Sequence, residues 1–307
     1  MCLIIGIDHG YGAIKTSHSI FKSGITAYEH EPYTLQRTLQ ANGKYYVCGT
    51  SRQALRRDKT QDDSYYLLTL AAIAEECKAR NIPAGKLDIV LAAGLPLTRF
   101  GREKQGFKDY LMPSFQPAIF SYEGQHFSVH IHDVFLYPQG YSALITETGL
   151  LKKEPSILAI DVGSWTLDAM RIDNGIPNAE TCRSLEYGII RCMDEIGEQV
   201  RRQTGLSVTE PQIEQVLRLE NSSMDEKAQA VVLEYGRQYA NKLLNVLLES
   251  GFDVYGVPTV FMGGGAMLIK NLTSTIPNAK YIDDIHANAK GYETIAKQAI
   301  IRGKTTV

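Results

Sequence analysis

The chain has 307 residues, 44% of them hydrophobic and 21% charged, with 32 Lys and Arg against 34 Asp and Glu. That length suits about two domains of ~150 residues each, and the balanced composition excludes disordered, collagen-like and low-complexity chains. A formal charge of -2 supplies no basic field for gripping nucleic acid or an anionic membrane, and the five scattered cysteines form neither a disulfide framework nor a zinc knuckle. Met1 to Asp8 lacks a basic leader, and the longest mainly apolar stretch, Leu67 to Ala74, falls far short of the ~20 residues a bilayer needs. A chain of the reducing cytoplasm is expected, with no membrane and no direct nucleic-acid contact.

Strand and helix signals alternate along the chain, which predicts an α/β architecture. Cys2 to Ile7 reads as a buried strand that ends in the turn Asp8-His9-Gly10-Tyr11-Gly12. A second strand is predicted over Ala13 to Phe21, with a hairpin turn at Ser23-Gly24, then a long helix over Asp62 to Arg80. Lys86 to Ala93 reads as another buried strand closed by Gly94 to Leu97, and Val129 to Phe135 as a further one. Tyr137-Pro-Gln-Gly140 opens a helix expected to run to about Thr148, and Leu150 to Pro155 reads as a polar crossover. Then the opening pattern recurs: Ser156 to Ile160 is an apolar run into Asp161-Val-Gly163-Ser-Trp-Thr166, followed by a strand over Leu167 to Ile172 and a hairpin turn at Asn174-Gly175. Helices are predicted over Gly188 to Thr204 and Met224 to Glu249. Pro258 to Met262 is a strand that ends in Gly263-Gly264-Gly265 before a helix from Ala266 to Leu272, and Ala287 to Arg302 is a helical tail.

The repeat sets a carboxylate and bare backbone N–H groups at the end of a strand twice, at Asp8 and at Asp161, 153 positions apart. Such a pair suits a magnesium-bound polyphosphate, because N–H groups and lysines meet phosphate oxygens while Mg²⁺ keeps most of its water and needs few carboxylates. Lys15, on the outgoing strand, either reaches a β- or γ-phosphate or remains a solvated charge. The Gly263 to Gly265 run lets backbone approach a nucleotide closely, or is a structural turn.

These motifs resemble the superfamily of actin, heat-shock chaperones and sugar kinases, and within it the ParM/StbA-like bacterial actins. Asp8-His-Gly-Tyr-Gly-Ala-Ile-Lys15 resembles the first phosphate loop, Asp161-Val-Gly-Ser-Trp-Thr-Leu-Asp168 the second, and Phe261-Met-Gly-Gly-Gly-Ala266 the adenosine motif. Pro138-Gln-Gly140 and Asn288-Ala-Lys-Gly291 resemble the two hinge helices, and Gly94-Leu-Pro-Leu-Thr-Arg99 with Gly101 to Tyr110 resembles the segregating subgroup. Ser164-Trp165 depart from the small glycines that many members keep there.

The resemblance implies an actin-like, ribonuclease H-like α/β fold of two similar domains flanking a nucleotide cleft. Residues 1–150 would form domain I, with the C-terminal helix 287–307 packing back on it, and residues 151–286 domain II. It implies ATP or GTP with Mg²⁺ held by Asp8, Gly10, Tyr11, Gly12, Lys15, Gly163, Ser164, Trp165, Thr166, Gly263, Gly264 and Gly265, the metal resting on Asp8 and Asp161 through water. Gln139 would orient the attacking water and Asp161 accept its proton through another water; the alternative for Gln139 is an ordinary N-terminal helix residue, and Asp168, which closes the second motif, is equally read as a strand-end salt bridge. The implied activity is nucleotide hydrolysis coupled to polymerisation of the chain with itself, moving plasmid or other mobile DNA through a DNA-binding adaptor of the ParR kind. A small-molecule kinase and a non-polymerising nucleotide-binding scaffold are the rival readings. Chaperone activity is disfavoured, since no peptide-binding domain follows residue 307.

Other groups read as structural. His126, His130 and His132 alternate along one strand face, with no carboxylate expected nearby to complete a metal set. Tyr45-Tyr46 and Tyr65-Tyr66 are read as half-buried packing in preference to interface contacts.

Overall fold

The computed structural model describes residues 2–52, 58–145, 149 and 153–303. The chain divides into two compact units, Met1–Thr146 with His286–Val307, and Glu147–Ile285. The first contains strands β1 (Leu3–His9), β2 (Ala13–Thr16), β3 (Ile20–Lys22), β4 (Ile25–Tyr28), β5 (Thr38–Ala41) and β6 (Lys44–Cys48), then helix α1 (Ser64–Ala79), β7 (Lys86–Leu95), α2 (Leu97–Leu111), β8 (Ala118–Tyr122), β9 (Gln125–Pro138) and α3 (Tyr141–Leu144). The second contains β10 (Ser156–Val162), β11 (Leu167–Asp173), β12 (Ile176–Leu185), α4 (Ile189–Thr204), α5 (Glu210–Leu217), α6 (Glu226–Glu249), β13 (Thr259–Met262), α7 (Ala266–Leu272) and β14 (Ala279–Tyr281), after which α8 (Ala287–Ile301) belongs to the first unit again. The rest of the helix expected up to Thr148, the Leu150 to Lys152 part of the crossover and the last four residues lie outside the described residues.

The second sheet runs β12-β11-β10-β13-β14, antiparallel across its first three strands and parallel across the rest. Five strands of the nine-stranded first sheet, β3-β2-β1-β7-β9, repeat that order and those directions. The register repeats too: Asp8 faces Lys15 and His9 faces Ile14 in one hairpin, while Asp161 faces Asp168 and Val162 faces Leu167 in the other. The sequence repeat is therefore a repeat of tertiary structure at a constant offset. The first sheet continues through β8-β5-β6-β4, an antiparallel extension that the second lacks among the described residues.

Ile5 and Ile7 are fully buried because β1 has helices on both faces, α1 on one and α8 on the other. Helix α1 is accordingly apolar nearly all round, with eleven of its residues buried from Tyr65 to Cys77. Helix α8 lies so close to the sheet that a Cβ on Gly6 would sit 2.0 Å from the Ala289 carbonyl oxygen, and one on Gly94 2.0 Å from the Tyr292 hydroxyl. In the second unit α4, α6 and α7 bury Ile196, Val232, Tyr239, Leu243, Leu247 and Ile269 over β10 and β13. Asn174 and Gly175 both have positive φ, 50° and 80°, the left-handed pair that closes a two-residue hairpin.

The strand expected over Ala13 to Phe21 is two strands, and the hairpin turn is at Ser17 to Ser19, not at Ser23-Gly24. The reason is local: the Thr16 hydroxyl accepts the backbone N–H of Ser19 at 2.9 Å and donates to the buried Glu76 carboxylate, folding the chain back four residues earlier. Tyr65 is fully buried, while Tyr45, Tyr46 and Tyr66 are partly covered.

Candidate functional site

In the first unit Asp8 is the penultimate residue of β1 and is buried, 3% exposed. Across the hairpin the Lys15 Nζ stands 3.6 Å from its Oδ2, and from the end of β9 the Gln139 Nε2 donates to its Oδ1 at 3.3 Å. Gln139 is itself pinned by its backbone N–H to the Leu95 carbonyl at 2.9 Å, and the next residue, Gly140, donates to the Asn288 side chain at 2.9 Å. The hinge-like motifs Pro138 to Gly140 and Asn288 to Gly291 thus meet, and a Cβ on Gly291 would sit 2.0 Å from the Ser142 carbonyl oxygen.

The turn Gly10 to Gly12 is tied down by Ser23, whose hydroxyl donates to the Tyr11 carbonyl and whose N–H donates to that of Gly12 at 3.2 Å. Two cations missed by the sequence reading flank it. Lys59, buried, donates to the His9 carbonyl and lies 4.9 Å from the Tyr11 ring centre, and the Arg99 guanidinium donates to the Tyr11 hydroxyl at 3.3 Å. Both line a concavity of about 170 Å³ with Asp58, Thr60, Arg102 and Glu103. Burial, together with the Lys59 charge, pushes the neighbouring His9 down to about 3, so its ring is neutral, bonded through Nε2 to the Thr69 hydroxyl at 2.8 Å.

In the second unit Asp161 is the penultimate residue of β10, the equivalent position, 6% exposed. The hairpin Gly163 to Thr166 closes by the Gly163 N–H on the Thr166 carbonyl at 2.9 Å. Its outer carbonyls are taken by the start of α4: Gly188, Ile189 and Ile190 N–H groups bond the carbonyls of Trp165, Gly163 and Ser164 at 2.8, 3.0 and 3.0 Å. The Thr166 hydroxyl donates to Asp168 at 2.7 Å, which fixes Asp168 as a brace of the hairpin.

The triple glycine is shaped by that same carboxylate. Gly263 has φ +85°, and a Cβ there would stand 2.2 Å from Asp161 Oδ1; one on Gly265 would stand 2.5 Å from the Val162 side chain. A Cβ on Gly264, between them, would meet no atom within 4 Å. Helix α7 after it has only seven residues, so close backbone approach, more than a helix dipole, is what this turn offers. Each unit therefore gathers its own half of the expected set: Asp8, Gly10, Tyr11, Gly12, Lys15 and Gln139 in one, and Asp161, Gly163, Ser164, Trp165, Thr166 and the three glycines in the other.

The histidine reading needs correction. Asp88 on β7 lies beside His130 and His132 on β9, so a carboxylate does complete that set. Register across two strands, invisible in one strand's sequence, is the reason.

Residues 6–141 match the family model of the actin-like proteins' N-terminal domain, and residues 159–274 that of the C-terminal part of the archaeal, MreB-like actin homologue. Among curated protein sequences none matches significantly. Solved structures share the fold. An archaeal actin homologue in complex with ADP superposes with a TM-score of 0.74 at 22% identity, covering 96% of this chain and 99% of that one. A ParM from a 15-stranded Clostridium botulinum filament gives 0.70 at 20%, covering 97% and 100%. Bacillus thuringiensis ParM with ATP gives 0.68 at 15%, covering 98% and 99%.

Proposed function

The chain belongs to the actin-like proteins, and from that premise we propose that it is an ATP or GTP hydrolase of the ParM kind, polymerising with itself and moving plasmid or other mobile DNA through a DNA-bound adaptor. The observation that carries the reading is the duplicated Asp-ended hairpin, with Asp8 and Asp161 at the same register position of the same sheet order, the second one locked against Gly263.

Both carboxylates are hard oxygen donors at buried strand ends, a donor set that fits Mg²⁺. Asp8 and Asp161 would hold the ion through its waters. Mg²⁺, when bound, neutralises charge on the phosphate oxygens. The chain's own residues do the rest: N–H groups of the Gly10 to Gly12 and Gly163 to Thr166 turns bind the phosphates, Lys15 adds a cation, and the Gly264 backbone approaches the nucleoside. Gln139, held beside Asp8, orients the water, and Asp161 takes its proton through a second water. Phosphoryl transfer asks for such positioning and charge neutralisation more than for a covalent group. A head-to-tail contact that does not close gives filaments. The similar fold of a ParM solved as a filament and of one solved with ATP supports the reading.

Sedimentation and negative-stain microscopy with Mg-ATP, Mg-GTP and Mg-ADP, run beside phosphate release, test it. Polymers that depend on triphosphate and release phosphate are expected. A protein that stays monomeric and phosphorylates a small molecule would support the kinase instead.

A further inference from the structure

The first sheet carries a second constellation, well away from the phosphate turns. Asp88 near the start of β7 is directly opposite His130 on the parallel strand β9, so their side chains share a face. The register then slips: Ile89 opposes Ile131, but Val90 opposes Asp133, leaving His132 as an extra residue. Bulges are rare in parallel pairs, and they re-aim side chains. Here the bulge keeps His132 on the face of His130 while freeing it from Val90. Its Nε2 lies 2.7 Å from Asp88 Oδ1, and the His130 Nδ1 lies 3.6 Å from the same oxygen. The two rings are 4.1 Å apart between centres, and one donor atom from each of the three residues falls within a 4.8 Å group.

We propose that Asp88, His130 and His132 form a binding site for a borderline divalent transition metal such as Zn²⁺ or Co²⁺. Tetrahedral bonds of ~2.0–2.1 Å place ligand atoms about 3.4 Å apart, so the observed 2.7 and 3.6 Å separations need only sub-ångström adjustment of exposed side chains. Two imidazoles with one carboxylate select such metals over Mg²⁺ and Ca²⁺, which prefer all-oxygen shells. Three protein ligands leave a coordination position open to solvent. The site stands apart from the nucleotide turns: Ala93, the residue opposite Ile7, lies five positions beyond Asp88, about 17 Å along the strand at 3.3 Å per residue. The proposal is therefore independent of the function proposed above.

As a cross-strand ion pair alone the cluster has no need of the bulge, and exposed pairs of this kind contribute little to stability. The test is calorimetric titration of the full chain with Zn²⁺ and with Co²⁺ in excess Mg²⁺, with the cobalt absorption spectrum and imidazole NMR signals read in parallel. One equivalent is expected, with metal-induced shifts at His130 and His132. His130→Asn and His132→Asn should each weaken binding at least tenfold. His126→Asn, whose ring instead meets the Ser121 hydroxyl at 2.8 Å, should leave it unchanged. Cys2→Ser is the control for the one exposed thiol, which lies next to Leu3 and hence level with Asp88; one-equivalent binding should survive it. All substituted side chains are at least partly exposed, so circular dichroism should report intact folds. Binding that vanishes with Cys2 but ignores both imidazoles, or binding equally weak in the parent and in the His130→Asn/His132→Asn double variant, would overturn the proposal.

Discussion

Gly263 gives the sharpest structural prediction because its neighbour Gly264 serves as a control. Gly263→Ala puts a Cβ at φ +85°, 2.2 Å from Asp161 Oδ1 and 2.7 Å from the Val162 carbonyl oxygen. The left-handed conformation costs a non-glycine residue about 1 kcal/mol, and the forced displacement of a buried strand end adds roughly 1–3 kcal/mol. A loss of about 3 kcal/mol follows. Gly264→Ala, at ordinary φ with nothing within 4 Å, should change stability by well under 1 kcal/mol and, on the proposed function, weaken nucleotide binding. The protein's only tryptophan, Trp165, lies in the hairpin braced by α4 of the same unit, so its fluorescence in urea reports this unit selectively. With a slope of about 1–3 kcal/mol per molar urea, Gly263→Ala should lower the midpoint by roughly 1–3 M. Equal midpoints for the two variants would show that the turn is not built against Asp161.

His9 makes stability depend on pH. Its folded-state value of about 3 lies below the ordinary ~6.5, so the unfolded chain takes up the proton first and stability is full above pH 6.5 and lost as pH falls toward 3. That one residue should remove about 2 kcal/mol between pH 7 and pH 5, and His9→Gln should flatten this part of the urea-midpoint profile; parallel profiles would remove the buried neutral ring from the account. Burial pulls Glu76 upward, but hydrogen bonds from Thr16, His18 and Arg80 outweigh it and hold the carboxyl below its usual range. Glu76→Ala should cost about 1–3 kcal/mol, because the buried Thr16 hydroxyl and the His18 N–H lose their acceptor while Arg80 keeps Glu293, and a midpoint within experimental error of the parent would contradict that. On the proposed mechanism, Asp161→Ala should lower phosphate release by at least a hundredfold with the fold intact by circular dichroism, and Gln139→Ala should slow it about tenfold or more and lengthen polymer lifetime. Unchanged release in the Asp161 variant, or faster disassembly in the Gln139 variant, would take those residues out of their roles.

The duplicated core was legible because each copy is written as a long apolar run, an Asp-x-Gly turn and a second strand, a pattern that buried parallel strands impose on sequence. The antiparallel extension was not, since β4 and β6 are short and partly exposed and carry no strong alternation. Asn42-Gly43, with φ of 52° and 75°, was the usable signal for the β5–β6 hairpin. Helix α2 escaped notice because Gly101 and Gly106 interrupt it and it buries only Phe107 and Leu111. Lys59 and Arg99 reach Tyr11 from far along the chain, and Asp88 reaches His132 only through a bulge between two strands. Such tertiary placements leave no local trace.

On the proposed function, one magnesium nucleotide is served by both hairpins of a single chain. A cryo-electron microscopy structure of the Mg-ATP-assembled polymer measures this directly. It should show one nucleotide per chain, with the carboxylates of Asp8 and Asp161 both reaching the same ion through its water shell. A nucleotide met by the residues of only one hairpin, with the other carboxylate facing solvent, would contradict the account.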